Sequence, residues 1–298
     1  MAGISDGTVS MFRIGSFNVG IHQDMLTGTH KRKSMRKVER VITTCVTDVG
    51  LHIMNLCGLG GHRQGLSAAN ISALDMKIFQ GTEEYQGSPS VSINSNYLTS
   101  WGFDADTTQF GIKATRPSKT YWLSSDICEP ELVVHSFENG VGVILILGNL
   151  HVRTPHEVNV STKLKQRILT EALETLESEV PFDSTTQPVV LVLVGDCNLL
   201  KEAAEEATQP LQPEKPDWRT VWHVHTTKAA KGGDLIFVKG AHARSFDLPS
   251  GFSHSDCGLT NDDHDAIGIE LRVMAEAEPE PPSKRSRLLR TNPTRKVL

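Results

Sequence analysis

The sequence predicts one mixed α/β domain in which β-sheets and helices pack in layers around a single core. Many short apolar runs are typical of strands, two segments between them have helical spacing, and the chain contains no internal repeat. The 38% hydrophobic fraction, about 45% when glycine is counted and tyrosine is not, is ordinary for a globular protein. A length of 298 residues suits one large core or two small domains.

Composition excludes several other protein classes. No run approaches the ~18 consecutive apolar residues of a membrane span, and the first residues lack the basic and apolar pattern of a secretion signal. The five cysteines are scattered and contain no CxxC pair, which argues against a disulfide framework and a structural zinc site. We therefore expect an intracellular protein with no membrane association, and we expect it to be a monomer.

The charge is distributed unevenly along the chain. Six of the 30 Lys and Arg residues but only three of the 35 Asp and Glu residues follow residue 275, so residues 1–275 carry a net charge of −8, against −5 for the whole chain. Proteins that hold nucleic acid by backbone electrostatics alone are usually basic. If this acidic body handles a polyanion, we expect it to do so at a local site with the help of a cation.

Both ends of the chain lack the periodicity of packed elements. Residues 1–10 are small and polar and predict a flexible start, and residues 275–298 predict a disordered tail because they cannot bury enough apolar surface. The basic cluster between Lys284 and Arg290 resembles a nuclear localisation signal, and a solvated tail that only aids solubility is the alternative. The globular domain is therefore predicted to span residues 11–274.

The predicted elements alternate between strands and helices. Residues 30–49 and the segment that Ser161 or Thr162 would cap have helical spacing, whereas residues 189–194 are apolar and β-branched on both faces and predict a central strand. Residues 58–100 are rich in Gly, Ser and Asn and predict no clear element. The remaining predicted strands are residues 12–19, 51–57, 110–112, 120–123, 132–135, 141–150, 235–238 and 266–271.

Polar side chains lie at the edges of five of these strands. They are Asn18, His151, Asp196 with Asn198, Asp234, and Asp263 with His264. A strand end holds a polar group in fixed geometry. Amide and carboxylate oxygens suit a hard cation such as Mg²⁺ or Mn²⁺, and an Asp–His pair can deprotonate a water molecule. Such a cation can neutralise the charge that develops on a phosphodiester.

Five short motifs in this order resemble the endonuclease/exonuclease/phosphatase superfamily. They are Ser16-Phe17-Asn18, Asn149-Leu150-His151, Gly195-Asp196-Cys197-Asn198, Asp234-Leu235-Ile236-Phe237 and Asp263-His264. Each motif alone is weak, but the ordered set spans residues 13–273 and is closest in style to the retrotransposon and apurinic endonucleases. The resemblance implies a DNase I-like, four-layered α/β sandwich of two packed mixed β-sheets flanked by helices. It also implies hydrolysis of a phosphodiester with Mg²⁺ or Mn²⁺, with DNA or RNA as the leading substrate class.

The resemblance also implies a role for each matching residue. Asn18 would ligate the metal or position the water, and Asp263 would lie beside the metal. Asp196 would act on the nucleophile or the leaving group. Asn198 would hold the phosphate, and His151 would stabilise the phosphate or the leaving oxygen. His264 would contact the phosphate or activate water, oriented by Asp234.

One departure from the family pattern bears on activity. The second strand of the family normally ends Leu-Gln-Glu, and its Glu is the principal metal ligand, whereas this chain has Leu56-Cys57-Gly58. The nearest later acidic residues are Asp75, Glu83 and Glu84. Loss of one anionic ligand should weaken metal binding or transition-state stabilisation by about 1–3 kcal/mol. That loss would lower activity tenfold or more. A competing hypothesis is therefore a degenerate member that binds nucleic acid or protein without efficient turnover.

Structural explanations compete with several of these assignments. Asp and Asn favour turns, so Asp196, Asn198 and Asn18 could simply be turn residues, and His151 could be a satisfied histidine in a strand. Asp263 and His264 could be a solvated loop pair. The basic residues between Lys31 and Arg40 could touch nucleic acid, but a solvated helix face is the simpler interpretation.

Overall fold

Two six-stranded mixed β-sheets pack against each other in a computed structural model. The structure describes residues 9–18, 48–57, 76–79, 98–103, 113–123, 129–140, 142–153, 160–182, 187–209, 218–221, 234–246 and 267–274. In chain order the strands are β1 (Val9–Asn18), β2 (Ile53–Cys57), β3 (Met76–Phe79), β4 (Leu98–Phe103), β5 (Lys113–Trp122), β6 (Glu129–Glu138), β7 (Ile144–Arg153), β8 (Val189–Asp196), β9 (Arg219–Val221), β10 (Asp234–Lys239), β11 (His242–Phe246) and β12 (Ile267–Met274), and the helices are α1 (Thr162–Ser178) and α2 (Lys201–Thr208).

The first sheet has the strand order β11-β12-β1-β2-β4-β3. Strand β1 lies inside it, parallel to β2 and antiparallel to β12, so the first and last described strands are neighbours. Their pairing begins with Val9 opposite Met274 and continues to Ser16 opposite Ile267. This sheet is therefore complete only when both ends of the domain have come together.

The second sheet has the strand order β5-β6-β7-β8-β10-β9. Strands β7 and β8 are parallel, and β10 is antiparallel to β8. Strand β8 lies inside the sheet and is buried along nearly its whole length, because its β-branched and aliphatic side chains cover both faces. The prediction of a central strand at residues 189–194 is confirmed.

Apolar side chains from facing strands fill the space between the two sheets. Alternate residues of β1, β2 and β12 meet alternate residues of β6, β7, β8 and β10 in one cluster. Phe12 and Ile14 come from the first sheet, and Val192 and Val194 from the second, all essentially inaccessible to solvent. The alternation of side chains along each strand therefore decides which residues face this space.

The two helices cover the outer face of the second sheet. Ser161 caps α1, since its Oγ accepts a hydrogen bond from the backbone N–H of Leu164 at 3.3 Å. Its buried face packs on β6, β7 and β8 in a second apolar cluster and consists of Ile168, Leu169, Ala172, Leu173 and Leu176. These two sheets and this helical layer make three layers in the part of the chain that the structure describes.

The structure confirms most predicted elements and adds several. The strands predicted at 12–19, 51–57, 120–123, 132–135, 141–150, 235–238 and 266–271 appear as or within longer or slightly shifted strands, and the capped helix is α1. Helix α2 and strands β3, β4, β9 and β11 were not predicted. Most of the predicted helix at 30–49 lies outside the described residues, as do residues 110–112. In the described part, no helix is long and apolar enough to cross a membrane.

Candidate active site

Three of the predicted site residues form one row across three neighbouring strands. His151 of β7 is the register partner of Asp196 of β8, and Asp196 is in turn the register partner of Asp234 of β10. Neighbouring strands lie about 4.8 Å apart. The sheet therefore brings together side chains that are 45 and 38 residues apart in the sequence.

The same face of the sheet carries all three side chains. Val192 and Val194 of β8 and Ile236 of β10 point between the sheets, and Asp196 and Asp234 continue those alternating sets. Both carboxylates are only 2% exposed, whereas His151 is half-buried. The row thus has a buried acidic part and a more accessible imidazole at one end.

Strand β7 differs from the expectation at one point. The apolar pattern predicts a strand that ends at Leu150, directly before His151, but the strand continues to Arg153. His151 therefore lies within the strand, where two neighbours fix its backbone. This gives the imidazole a more defined position than a loop residue would have.

A glycine fixes the approach of the chain to Asp196. Gly195 has a φ of +130°, and a Cβ atom built there would lie 2.0 Å from the carbonyl oxygen of Leu150 on β7. Only glycine allows both this conformation and this close approach. The neighbouring strand is thereby held tightly against the start of the Gly195-Asp196-Cys197-Asn198 motif.

Asn198 closes the motif in a left-handed conformation, with a φ of 51°. Its backbone N–H donates to Asp196 Oδ1 at 2.9 Å, and its side-chain Nδ2 donates to the carbonyl of Val152 at 3.0 Å. The Nζ of Lys165 on α1 donates to the Asn198 carbonyl at 3.0 Å. Asn198 thus connects β8, β7 and α1 at the edge of the row, and it orients the Asp196 carboxylate.

Two buried carboxylates at adjacent positions shape the electrostatics of the site. Like charges that leave water together are costly unless a cation, a proton or a set of donors compensates them. Burial, followed by the charges of Asp196 and Asp234, raises the pKa of the neighbouring Cys197 thiol well above its usual value. Cys197 is buried and packs with the helix-side apolar cluster, an environment that disfavours the thiolate.

A layer of neutral polar side chains lies beside the row, and it was not assigned from sequence. Asn149 precedes His151 by two positions on β7 and shares its face, fully buried. In the first sheet, Ser16 and Asn55 continue the alternation of Ile14 and Ile53 and are also buried. The Nδ2 of Asn55 donates to the carbonyl of Gly15 at 3.2 Å. The spacing of Asn149 and His151 was the available signal, since residues two apart on a strand share a face.

The other predicted site residues cannot be placed as side chains. Asn18 is the last residue of β1, where it pairs with Cys57 of β2, and only its backbone is described. Gly58, the position of the absent glutamate, lies outside the described residues. So do Asp263 and His264, and the possible substitute ligands Asp75, Glu83 and Glu84. Their roles stay predictions.

The donor chemistry of the row fits a hard cation. Its buried carboxylates offer oxygen atoms, and the neighbouring thiol faces the helices instead. Within the described residues, however, no three His, Cys, Asp or Glu side chains come together as a metal-binding group. A complete site would need Asn18 and Asp263, the two residues assigned to the metal by resemblance.

No protein-family model and no curated protein sequence matches this chain. Solved structures do. The human Nocturnin catalytic domain with a bound sulfate anion is 12% identical with a TM-score of 0.58, covering 89% of this chain and 95% of that one. An endonuclease/exonuclease/phosphatase from Bacteroides vulgatus is 16% identical with a TM-score of 0.57, covering 88% and 99%.

A third structure is D. rerio TDP2 in complex with a single-stranded DNA product. It is 15% identical with a TM-score of 0.54, and the match covers 88% of this chain and 98% of that one. At such identities the likeness establishes the fold alone. This chain has the DNase I-like α/β sandwich fold of the endonuclease/exonuclease/phosphatase superfamily.

Proposed function

We propose that this protein is a metal-dependent phosphodiester hydrolase that acts on nucleic acid. The observation that carries the proposal is the row formed by His151, Asp196 and Asp234, which joins two buried carboxylates and an accessible imidazole on one sheet face. A carboxylate beside an imidazole can accept and return the protons that hydrolysis moves. The DNA product bound to TDP2 and the sulfate bound to Nocturnin are consistent with a phosphate ligand on this fold.

In the proposed reaction, water attacks phosphorus, one P–O ester bond breaks, and the leaving oxygen takes up a proton. Asp196 accepts the proton of the attacking water or supplies that of the leaving oxygen, and Asn198 holds its carboxylate in place. His151 contacts the phosphate and stabilises the leaving oxygen. Asp234 orients His264, which contacts the phosphate or activates water. A divalent cation held by Asn18 and Asp263 would neutralise charge on the phosphate.

Gly58 supports a second candidate function. With no carboxylate at this position, the fold could bind nucleic acid or protein without efficient turnover. The alternative predicts tight binding of an oligonucleotide that does not depend on Asp196. It also predicts that a restored carboxylate creates a hydrolase.

A cleavage assay with labelled DNA, RNA and abasic oligonucleotides in Mg²⁺ or Mn²⁺ tests both candidates. We expect wild-type cleavage that a chelator abolishes and that Asp196→Ala lowers by about 10²–10⁴-fold, the usual contribution of general acid–base catalysis. Glu174→Ala, an exposed carboxylate on α1, is the matched control and should cleave like wild type.

Gly58→Glu separates the two candidates. If the natural chain is a weakened enzyme, this variant should gain about tenfold or more in rate over a wild type that already depends on Asp196. Equal rates for wild type and Asp196→Ala, together with a gain on Gly58→Glu, would contradict catalysis by the natural protein and support the binding function.

A further inference from the structure

Asn198 holds an unusual backbone conformation at the edge of the proposed site. Among the described residues it is the only non-glycine residue with a positive φ. Asparagine tolerates the left-handed region better than most residues, but it still prefers right-handed or extended backbone. Contacts from the surrounding elements must therefore keep it there.

Two of these contacts come from the strands of the site itself. Asp196 Oδ1 accepts the backbone N–H of Asn198, and the Val152 carbonyl accepts its side-chain Nδ2. Both bonds use donors of Asn198. The orientation of its carbonyl is set by a third element, the first turns of α1.

Lys165 is the residue of α1 that reaches this carbonyl. It lies four residues after the cap Ser161, whose carbonyl accepts the Lys165 N–H at 3.2 Å. Helical spacing puts it on the same face as the buried Ile168, Leu169 and Ala172, so its stem points toward the sheet. Lys165 is half-buried, and its ammonium meets the Asn198 oxygen at 3.0 Å.

This contact links helix α1 to the Asp196 carboxylate. The Asn198 carbonyl belongs to the peptide after its Cα and the Asn198 N–H to the peptide before it, and the backbone dihedral angles of Asn198 relate the two. A charge-assisted hydrogen bond to the carbonyl restrains those angles, and with them the direction in which the N–H points toward Asp196. Without the ammonium, the carbonyl can turn to water, and the backbone can leave the left-handed region. The N–H would then no longer hold Asp196 Oδ1.

We infer that Lys165 is a positioning residue of the proposed active site: it fixes the left-handed backbone of Asn198 and, through it, the carboxylate of Asp196. This inference rests on the proposed function for its catalytic consequence, but its structural part stands independently. Lys165 itself is placed on the helix side of the sheet and needs no contact with substrate.

The experiment compares Lys165→Met and Lys165→Arg with the control Lys163→Met. Lys163 is an exposed lysine of the same turn, so its replacement removes the same charge without the contact. The first readout is structural: the ¹³Cα shift and amide hydrogen exchange of Asn198, measured by NMR on ¹⁵N,¹³C-asparagine-labelled full-length protein. The Asn198 signal is assigned with Asn198→Ala.

We expect Lys165→Met to speed Asn198 amide exchange at least tenfold and to move its ¹³Cα shift toward the unstructured value. Lys165→Arg should restore both, and Lys163→Met should match wild type. The second readout is kcat and KM for oligonucleotide cleavage. Lys165→Met should lower kcat tenfold or more with KM within twofold, and Lys165→Arg should recover most of the rate.

The inference is overturned if Asn198 exchange in Lys165→Met stays within twofold of wild type, or if Lys163→Met has the same effect. It is also overturned if Lys165→Met changes the Asn198 exchange rate and ¹³Cα shift but does not lower a kcat that depends on Asp196. Failure of the proposed function gives a different pattern. In that case wild type shows no Asp196-dependent turnover while the Asn198 signals still respond to Lys165, which leaves Lys165 as a residue that only shapes the loop.

Discussion

The peptide that joins Leu150 to His151 passes so close to Gly195 that no side chain fits between β7 and β8 at this point. The space is closed by a backbone carbonyl, which cannot move aside as a flexible side chain can. The φ of +130° adds a second restriction, because L-residues rarely adopt it. Stability and the geometry of Asp196 therefore depend on the same glycine.

Gly195→Ala should destabilise the protein by about 3 kcal/mol or more, since it combines backbone strain with a steric clash. Gly140→Ala is the control, because a Cβ there meets no atom within 4 Å. We expect that variant to stay within about 1 kcal/mol of wild type. Urea unfolding of both variants measures the difference. A Gly195→Ala variant as stable as Gly140→Ala would contradict the close approach of Leu150.

Two buried histidines make stability depend on pH. Burial lowers the pKa of His135 to about 3, and burial followed by the charge of Arg13 lowers that of His52 to about 4. Both are neutral in the folded protein, whereas the unfolded chain protonates them below pH 6.5. Their contribution is therefore complete above pH 6.5 and is lost as the pH falls toward 4 and then 3.

His135→Gln should flatten this dependence. Between pH 6 and 4.5 each buried histidine contributes a slope of about 1.4 kcal/mol per pH unit to the free energy of unfolding. The free energy of unfolding of the variant should therefore change less steeply with pH than that of wild type, by about 1.4 kcal/mol per pH unit, whatever the absolute stability of the variant. Urea unfolding at several pH values measures the slopes, and an NMR titration of the His135 imidazole checks that it stays neutral. Identical slopes in variant and wild type would contradict the neutral, buried state.

At the scale of elements, one carboxylate connects the edge strand β5 to the end of α1. Glu179 accepts hydrogen bonds from Lys119 Nζ at 3.0 Å and from the Tyr121 hydroxyl, and it forms an ion pair with Arg116 at 2.8 Å. Burial opposes its charge, but the bonds from Tyr121 and Lys119 and the charge of Arg116 lower its pKa. An edge strand with irregular pairing is thus tied down by side chains.

Glu179→Gln should lower the free energy of unfolding by about 2 kcal/mol, because a buried acceptor for charged donors loses its charge. The loss should be local, so amides of β5 should exchange faster while those of the central strand β8 keep their protection. Glu174→Gln, exposed on the same helix, is the control. Uniform loss of protection in both sheets would argue against a local role.

Local pattern was enough to predict some elements and not others. The β-branched run of β8 and the capped, amphipathic α1 carry strong signals within a few residues. Helix α2 has good helix formers in Lys201-Glu202-Ala203-Ala204, but it is short, its preceding Leu200 forms no side-chain cap, and it buries mainly Ala204. It is held by α1, since Gln166 Nε2 donates to the Ala203 carbonyl at 2.9 Å. Such support is tertiary and leaves no mark in the local sequence.

The site was predictable in its residue types but not in its register. The sequence predicts that Asp196 and Asp234 lie at strand ends, and the structure shows both carboxylates buried and opposite each other on neighbouring strands. Whether the two carboxylates are neighbours depends on the order β7-β8-β10, which joins strands separated by α1, α2 and β9. Lys165 and Asn149 were missed for the same reason: their partners and neighbours lie on other elements.

At the scale of the whole molecule, the basic residues after residue 275 predict a role for this terminal segment that differs from that of the acidic body. The body is acidic and the six basic residues beyond residue 275 lie outside the described part of the chain. We predict that these residues contribute non-specific contacts to nucleic acid phosphates and that the domain ends near Met274.

The basic cluster between Lys284 and Arg290 is also predicted to direct the protein to the nucleus. Imaging of a protein that lacks residues 284–298 tests this prediction, and an unchanged distribution would contradict it.

A chain ending at Met274 should bind single-stranded DNA with a weaker dependence on salt than the full chain. Each phosphate that a basic residue neutralises contributes about 0.7 to the slope of log K against log salt for single strands. Binding isotherms at several salt concentrations measure both slopes. The control is a full-length variant in which the six basic residues after residue 275 are changed to glutamine, and its slope should match that of the shortened chain. Equal slopes for the full and shortened chains would rule out tail contacts.

The pairing of β1 with β12 has a mechanical consequence. Val9 and Met274 are register partners, so the two ends of the domain leave the sheet side by side. A force that pulls the two ends apart acts in unzipping geometry, so it breaks the hydrogen bonds of this antiparallel pair one after another. In shear geometry all of these bonds would carry the force at once. We expect the domain to yield at low force in a single-molecule pulling experiment. The first event should release β12 and leave the second sheet, with its His151–Asp196–Asp234 row, to open later.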